Sequence, residues 1–315
     1  MARWWDYARL MRVPNIFTAV ADGAMGYLVT ARGVESPWRL ACLLVASAML
    51  YAAGMVWNDY FDVELDRRER PERPLPSGRI SLTQARRLGV FLLVGGVVSG
   101  AIAGGIPSSP WITAAGILAG TLAILVLLYD RVLKPTPFGP LGMGACRSVN
   151  VWMGMAVGAV SVGEAGLPVA PTLLAIVVGM GIYVAGITWF ARDEAGLSQR
   201  GQLAAAAVTM AVGLTLIAVS PWLGGPYWLE TLTLRPFEAW PLLVGILSLS
   251  PARRWWLAGR DPQPRRVQMA IKESILFLIV LDAALVLAWA GPPAALGILA
   301  LVIPARWLGA WFAST

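Results

Sequence analysis

The chain is a succession of apolar runs, each close to the roughly 20 residues that a helix needs to cross a bilayer, joined by short polar segments. Ten such runs occur, at 14–31, 38–57, 86–106, 111–129, 139–160, 171–190, 203–223, 237–251, 271–290 and 294–312, the eighth being short. The pattern predicts an all-α, polytopic membrane helical bundle forming a single domain over 1–315. No polar segment is long enough to fold apart, the longest being 58–87 and 252–268. Gly142, Gly144, Gly154 and Gly158 recur within one run, which suits close packing of helices in lipid.

Composition strengthens this reading. Of the 315 residues 57% are hydrophobic and only 14% charged, against about 25% charged in soluble domains. Of the 25 Lys and Arg residues, all but Arg32, Arg39, Arg147 and Arg235 fall on the side of the bundle that holds the N-terminus, counted by alternate crossings. That asymmetry puts the side in the cytoplasm of an inner or plasma membrane protein, and makes the net charge of +7 a matter of topology, with no nucleic-acid partner. Residues 1–12 carry charges, and no small-residue cleavage site follows a short apolar core, so the first run is expected to stay in the mature protein. Cys42 and Cys146 lie in apolar runs without zinc-type spacing and are read as small hydrophobes. Histidine is absent, which moves any chemistry towards carboxylates and oxygen-liganded metals.

Charge inside or at the end of a span is costly, so its placement points to function. The run Asn58-Asp59-Tyr60-Phe61-Asp62-Val63-Glu64-Leu65-Asp66 leaves the second span directly. If the helix continues through Asp66, then Asp59, Asp62 and Asp66 sit at i, i+3 and i+7 on one face. Three carboxylates so placed repel one another, and a hard cation such as Mg2+, completing its shell with water and substrate phosphate, relieves the repulsion. The same run also reads as a solvated, charge-rich helix end. Arg70 and Arg73 follow in a proline-stiffened loop, as donors to a diphosphate or as positive-inside charges. Lys134, after the fourth span, is either a donor or a snorkelling side chain.

Four spans beyond the first acidic end, a second one contains Asp193 and Glu194 on the same side, either facing the first across a cavity or far from it. Within the spans, Arg147 has Asn150 one turn on, and is read as a substrate contact or as an ion-pair partner of Asp193, Asp22 or Asp282. Asn15 and Asp22 share a face and either hold an acceptor substrate or, for Asp22, pair structurally; Asp282 is read as structural.

The segments Asn58-Asp59-x-x-Asp62-x-x-x-Asp66-Arg67 and Arg70-Pro71-x-Arg73-Pro74-Leu75-Pro76-Ser77-Gly78 together resemble the signature of the UbiA superfamily of membrane prenyltransferases. The likeness extends to Arg12-Val13-Pro14-Asn15, Tyr129 to Lys134, Arg147-x-x-Asn150 and Asp193. The details Trp189-Phe190-Ala191-Arg192-Asp193-Glu194-Ala195 and Ile279-Val280-Leu281-Asp282-Ala283 look most like its EboC branch. The resemblance implies nine helices around a central cavity open sideways to lipid. It implies a Mg2+-dependent transfer of an isoprenyl group from a polyprenyl diphosphate, through an allylic carbocation, to an aromatic or other small acceptor. By matching positions, Asp59, Asp62, Asp66 and Asp193 are catalytic, and with Glu194 hold metal. Asn58 goes with the first metal site and contacts substrate there, and Arg70, Arg73, Lys134 and Arg147 contact the diphosphate; Asn15, Asp22 and Asn150 stand as substrate contacts from their place within the spans.

Two departures stand out. The family's second motif carries another Asp four residues on, where this chain has Leu197, and the tenth span exceeds the usual nine. The missing acid keeps open a non-catalytic alternative, a polyprenyl-diphosphate carrier or transporter.

Overall fold

The structure, a computed structural model, describes residues 4–105, 113–164, 166–194 and 196–313. The end of the third predicted span, the start of the fourth and Ala195 of the second acidic segment lie outside them. Among the described residues each predicted span is helical, and most helices overrun the apolar run by a few residues. They are α2 (Val13–Ala31), α3 (Pro37–Phe61), α5 (Leu82–Ala103), α6 (Ala114–Leu128), α7 (Gly139–Ser161), α8 (Pro171–Phe190), α9 (Arg200–Leu223), α11 (Ala239–Arg260) and α12 (Pro264–Ala290). The tenth span is broken into α13 (Pro292–Ala300) and α14 (Val302–Ala313) at Leu301. Pro304 has no N–H to offer the carbonyl of Ala300, so the ladder is interrupted there. Two short helices were not anticipated, α1 (Trp4–Leu10) and α10 (Pro226–Glu230), and the helical continuation of the second span is set off as a separate α4 (Val63–Glu69). Seven stretches, with α13 and α14 taken together, are long and apolar enough to cross a membrane. α2, α7 and α11 fall short because Asn15, Asp22, Arg147, Asn150, Arg253 and Arg254 lower their mean hydropathy.

The helices form a ring. α2 packs on α3, α7 and α12; α5 lies against α3 and α6, α6 against α7, α8 against α7 and α9, and α11 joins α9 to α12. α2 and α7 both start at the end of the bundle where α3 finishes, and they meet closely at the opposite end. A Cβ placed on Gly154 would lie 2.2 Å from the carbonyl oxygen of Gly23, one on Gly26 2.3 Å from that of Val151, and one on Gly158 2.6 Å from that of Tyr27. Glycine there lets two backbones touch, as helix pairs in lipid require. Towards the other end Asn15 and Ala19 of α2 and Met143, Cys146 and Asn150 of α7 line a cavity. Gly154→Val is therefore expected to cost about 1–3 kcal/mol or more by overpacking. Gly120→Val serves as control, since a Cβ at Gly120 meets nothing within 4 Å. Apparent melting temperatures of the two variants in detergent check this.

Candidate active site

α3 ends at Phe61, and Asp62 begins the short α4 after a local break in the helix. The expectation of one continuous helix through Asp66 is thus corrected, but hydrogen bonds from Asp62 N to Asn58 O (3.0 Å) and from Asp66 N to Asp62 O (2.8 Å) keep the turn nearly in phase. Asp59 and Asp66 remain on one face: Nη1 of Arg73 donates to Asp66 Oδ2 at 2.7 Å and to Asp59 Oδ1 at 3.5 Å. The loop that carries Arg73 is held from below. Leu75 and Ile80 are buried with Leu10, Val56, Ala85 and Leu92. At its far end Ser81 and Gln84 form a reciprocal capping box that starts α5.

Two more cations reach the cluster. Lys134 Nζ donates to Asn58 Oδ1 at 2.7 Å and to Asp62 Oδ2. Arg12 Nη2 donates to Asp59 Oδ1 at 3.2 Å. Arg12 adopts φ 48°, ψ 51°, a left-handed conformation costing a non-glycine residue about 1 kcal/mol, and it turns the chain from α1 into α2. Lys134 is the cap of a single π-helical turn, Tyr129–Leu133, at the end of α6. That wider turn places Tyr129 and Asp130 in the cavity wall. Asp130 is buried, its Oδ2 has no hydrogen-bond partner, and it lies in the field of Asp59, Asp62, Lys134 and Arg12.

Arg12 and Asp130 form the polar end of a chamber of about 300 Å³. Its walls are mostly apolar, including Leu50, Leu122, Val126, Val184, Ile187 and Leu278. Asn15 lines it as expected. Asn150 also reaches it, but its amide is already engaged: Oδ1 accepts from Ser47 Oγ and Nδ2 donates to the carbonyl of Ala19, each at 2.8 Å. Asn150 therefore ties α7 to α2 and α3. Arg147 takes the ion-pair alternative. Its Nη1 donates to Asp22 Oδ2 and its Nη2 to Thr18 Oγ1 at 2.7 Å, so its guanidinium is not directed at the Asp cluster. Asp22 is 0% exposed and stands behind the cavity wall, which corrects the expectation that it holds an acceptor. Arg70 is half-buried and makes no ion pair among the described residues.

The second acidic end is displaced from the chamber. α8 contributes Thr188 and Ala191 to the lining, whereas Asp193 is exposed, Glu194 half-buried, and Leu197 72% exposed. It is nonetheless a neighbour of the first: Arg192 Nη2 donates to the carbonyl of Thr136, two residues beyond Lys134, at 3.0 Å.

No three acidic side chains converge into a ready metal cage among the described residues. The donor chemistry nevertheless suits a hard cation. Asp130, one carboxylate oxygen of which is orphaned, lines the chamber with Arg12, and Asp59, Asp62, Asp66 and the Asn58 carbonyl add oxygen donors in the cluster that Arg12, Arg73 and Lys134 hold together. In the structure Arg12, Arg73 and Lys134 occupy the positions on these acids that a cation would otherwise take. Sequence reasoning passed over Arg12, Tyr129 and Asp130 as site residues. Their signal was their place in the segments Arg12–Asn15 and Tyr129–Lys134, to which the family likeness extends.

A family model described as the UbiA prenyltransferase family matches residues 19–278. A digeranylgeranylglyceryl phosphate synthase of Sulfolobus acidocaldarius is 34% identical over 136 residues, 43% of this chain and 46% of that protein. The chain spans from 33% to 50% of the length of the curated relatives it matches. A solved structure concerned with digeranylgeranylglyceryl phosphate synthase in membranes has TM-score 0.65 at 22% identity, covering 92% of this chain and 99% of that one. A UbiA homologue from Archaeoglobus fulgidus bound to GPP and Mg2+ has TM-score 0.57 at 16% identity, covering 88% and 99%. These structures share the helical bundle. Since the family match runs from the second turn of α2 to the middle of α12, across every helix that builds the chamber, the chain is a member of the UbiA prenyltransferase family.

Proposed function

We propose that the protein is an intramembrane prenyltransferase that moves an isoprenyl group from a polyprenyl diphosphate to a small acceptor, with Mg2+ as cofactor. The observation that carries this reading is that Arg12, Arg73 and Lys134 pair with Asp59, Asp66 and Asp62 next to an apolar chamber whose lining includes Arg12 and Asp130. Without ligand these charges nearly cancel. A diphosphate adds several negative charges that the acids would repel, so it is accommodated only if divalent cations enter with it and the three basic side chains turn from carboxylate to phosphate oxygens. Asp59, Asp62 and Asp66 are assigned to the metal, with Asp130 added to the set. Arg73, Lys134 and Arg12 are assigned to the diphosphate, with Arg70 at its edge. Magnesium, when bound, supplies Lewis-acid stabilisation of the leaving pyrophosphate.

The allylic C–O bond breaks with its electron pair leaving on the pyrophosphate oxygen, where Lys134 and the arginines donate to the developing charge. The apolar walls at Leu50, Val126 and Ile187 exclude water from the carbocation until a nucleophile of the acceptor bonds to the allylic carbon and loses its proton. Asp193 and Glu194 join the site only if the end of α8 moves inward. The Asp-rich end is proposed to face the cytoplasm, as the Lys and Arg distribution favours. The relatives' name, digeranylgeranylglyceryl phosphate synthase, fits an acceptor other than an aromatic ring. A place in the EboC branch rests on the α8 end and on Ile279–Ala283 alone.

The exposure of Asp193 favours one second reading, a carrier that keeps the ligand intact. Incubation of the purified protein with GPP, Mg2+ and a total lipid extract, followed by mass spectrometry, separates the two. Pyrophosphate release with a prenylated lipid is expected, abolished by EDTA and restored by added Mg2+. Tight binding of GPP that stays intact would establish the carrier.

A further inference from the structure

Arg12 and Arg73 both donate to Asp59 Oδ1, at 3.2 and 3.5 Å. Two guanidinium groups on one carboxylate oxygen repel each other, so each must be held in place by the backbone behind it. Those backbones belong to separate segments, the turn between α1 and α2 and the loop between α4 and α5. An ion pair joins the two segments: Arg79 Nε lies 3.3 Å from Asp6 Oδ1. Neither Asp6 nor Arg79 lines the chamber.

On the α1 side, Asp6 and Leu10 stand at i and i+4 and share one face of the helix. Leu10 is buried with Leu75 and Ile80 of the loop, so that face turns to the loop. The Asp6 side chain is only 9% exposed, and a carboxylate so buried is strongly held to its cation. On the loop side, Arg79 closes the loop on itself: Nε donates to Ser77 Oγ at 3.1 Å and Nη2 to the carbonyl of Glu72. Ser77 N in turn donates to the carbonyl of Arg73 at 3.0 Å, which links Arg79 to the backbone of Arg73. At the end of α1, Arg12 N donates to the carbonyl of Arg9 at 3.0 Å as the chain enters its left-handed turn. A strained turn persists only where its surroundings over-determine it, and Leu10 and Asp6 supply that hold. Trp5, its ring 4.7 Å from that of Trp311, docks α1 on α14 as well.

We infer that α1 is a clamp on the diphosphate end of the chamber, and that Asp6 and Arg79 are positioning residues for Arg12 and Arg73. The pair fixes the spacing of two backbones, so both guanidinium groups can turn from Asp59 to one diphosphate without either segment moving. Without the pair, α1 and the loop separate, and binding must order both segments again, which lowers affinity. The inference rests on the proposed diphosphate site and adds to it two residues that act on the ligand only through Arg12 and Arg73.

The test titrates the full chain in a neutral detergent with GPP and with inorganic pyrophosphate, each with Mg2+, and with geraniol, which has the tail alone. Native mass spectrometry reads the binding. Asp6→Asn and Arg79→Gln are each expected to bind GPP and pyrophosphate about tenfold more weakly, the scale of one charge-assisted hydrogen bond, and geraniol as before. The double variant is expected to lose no more than Arg79→Gln alone, since both changes remove one pair. Asp6→Glu, which keeps the charge, and Asp261→Asn, which breaks the exposed Asp261–Arg266 pair, are expected to stay within about threefold of the parent. Asp6→Asn that binds pyrophosphate as the parent does would overturn the clamp. An equal loss of geraniol would overturn it too, since that marks general loosening of the fold. A parent that binds neither GPP nor pyrophosphate would instead overturn the diphosphate reading, and the clamp with it.

Discussion

Asp62→Asn is expected to lower pyrophosphate release from GPP by about 10²–10³-fold at saturating Mg2+, the scale seen when one electrostatic contact to a transition state is lost. Among the described residues Asp62 has one ion-pair partner, Lys134 Nζ, which also binds Asn58 Oδ1. The side chains of Asp62 and Lys134 are 22% and 34% exposed, so their ion pair contributes little to folding, about 1 kcal/mol or less. A large fall in rate with an unchanged melting temperature then isolates the chemical role. Lys134→Met is expected to act on the same scale, because the freed ammonium is the group that would follow the diphosphate oxygen as the C–O bond opens. The double variant is expected to lose much less than the product of the two single losses, since both act on one cluster. Initial rates over a Mg2+ titration check all three. Activity of Asp62→Asn within threefold of the parent would remove Asp62 from the metal set and with it the assigned geometry.

The fold was legible because lipid dictates helix length: the sixth span, read at 171–190, is α8 to the residue. The tenth was legible as apolar but not as broken, since Pro304 interrupts it without changing its hydropathy. α1 and α10 were missed because segments of five to seven residues give no period to read. Within the site, the acids of α3 and α4 and the cations Arg73 and Lys134 could be named from their spacing. Their partners could not. Arg12 reads as one of many charges before a span, and only the left-handed turn at that residue brings it to Asp59, 47 positions away. Asp130 reads as a helix-exit acid, and only the π-helical turn puts it in the chamber wall. Counting crossings put Asp193 on the side of the first cluster and left open whether it faces it, since crossings fix the side of the membrane but not the direction in which a short loop points. α8 ends at Phe190, and the turn after it carries Asp193 outward.

Arg147→Met is expected to be the most destabilising single substitution among the charged residues, at about 3–5 kcal/mol, because it leaves buried charge without compensation. Asp22 and Asp282 are both 0% exposed, and both act electrostatically on the Arg147 guanidinium, so two acids share one cation deep in the bundle. Asp22 is held by Arg147 directly, while Asp282 makes no ion pair among the described residues and meets the Asp22 carboxyl within hydrogen-bond reach, so that one proton between the two acids would serve both. The costs should therefore be unequal. Asp22→Asn removes one acid but leaves Asp282 to face the guanidinium, so it is expected to cost clearly less than Arg147→Met. Asp282→Leu removes the acid that no cation holds directly, leaves the Asp22–Arg147 pair in place and is expected to cost the least of the three. The triple variant Asp22→Leu/Arg147→Met/Asp282→Leu should recover most of the loss, because replacing all members by apolar groups leaves nothing unsatisfied. Cys42 and Cys146, both half-buried in spans, allow these stabilities to be followed by thiol-reactive dye on heating. The same variants separate structure from catalysis. A triple variant that is stable but inactive would return Arg147 to the diphosphate, and one that is stable and active would place it wholly in the frame that joins α2, α7 and α12.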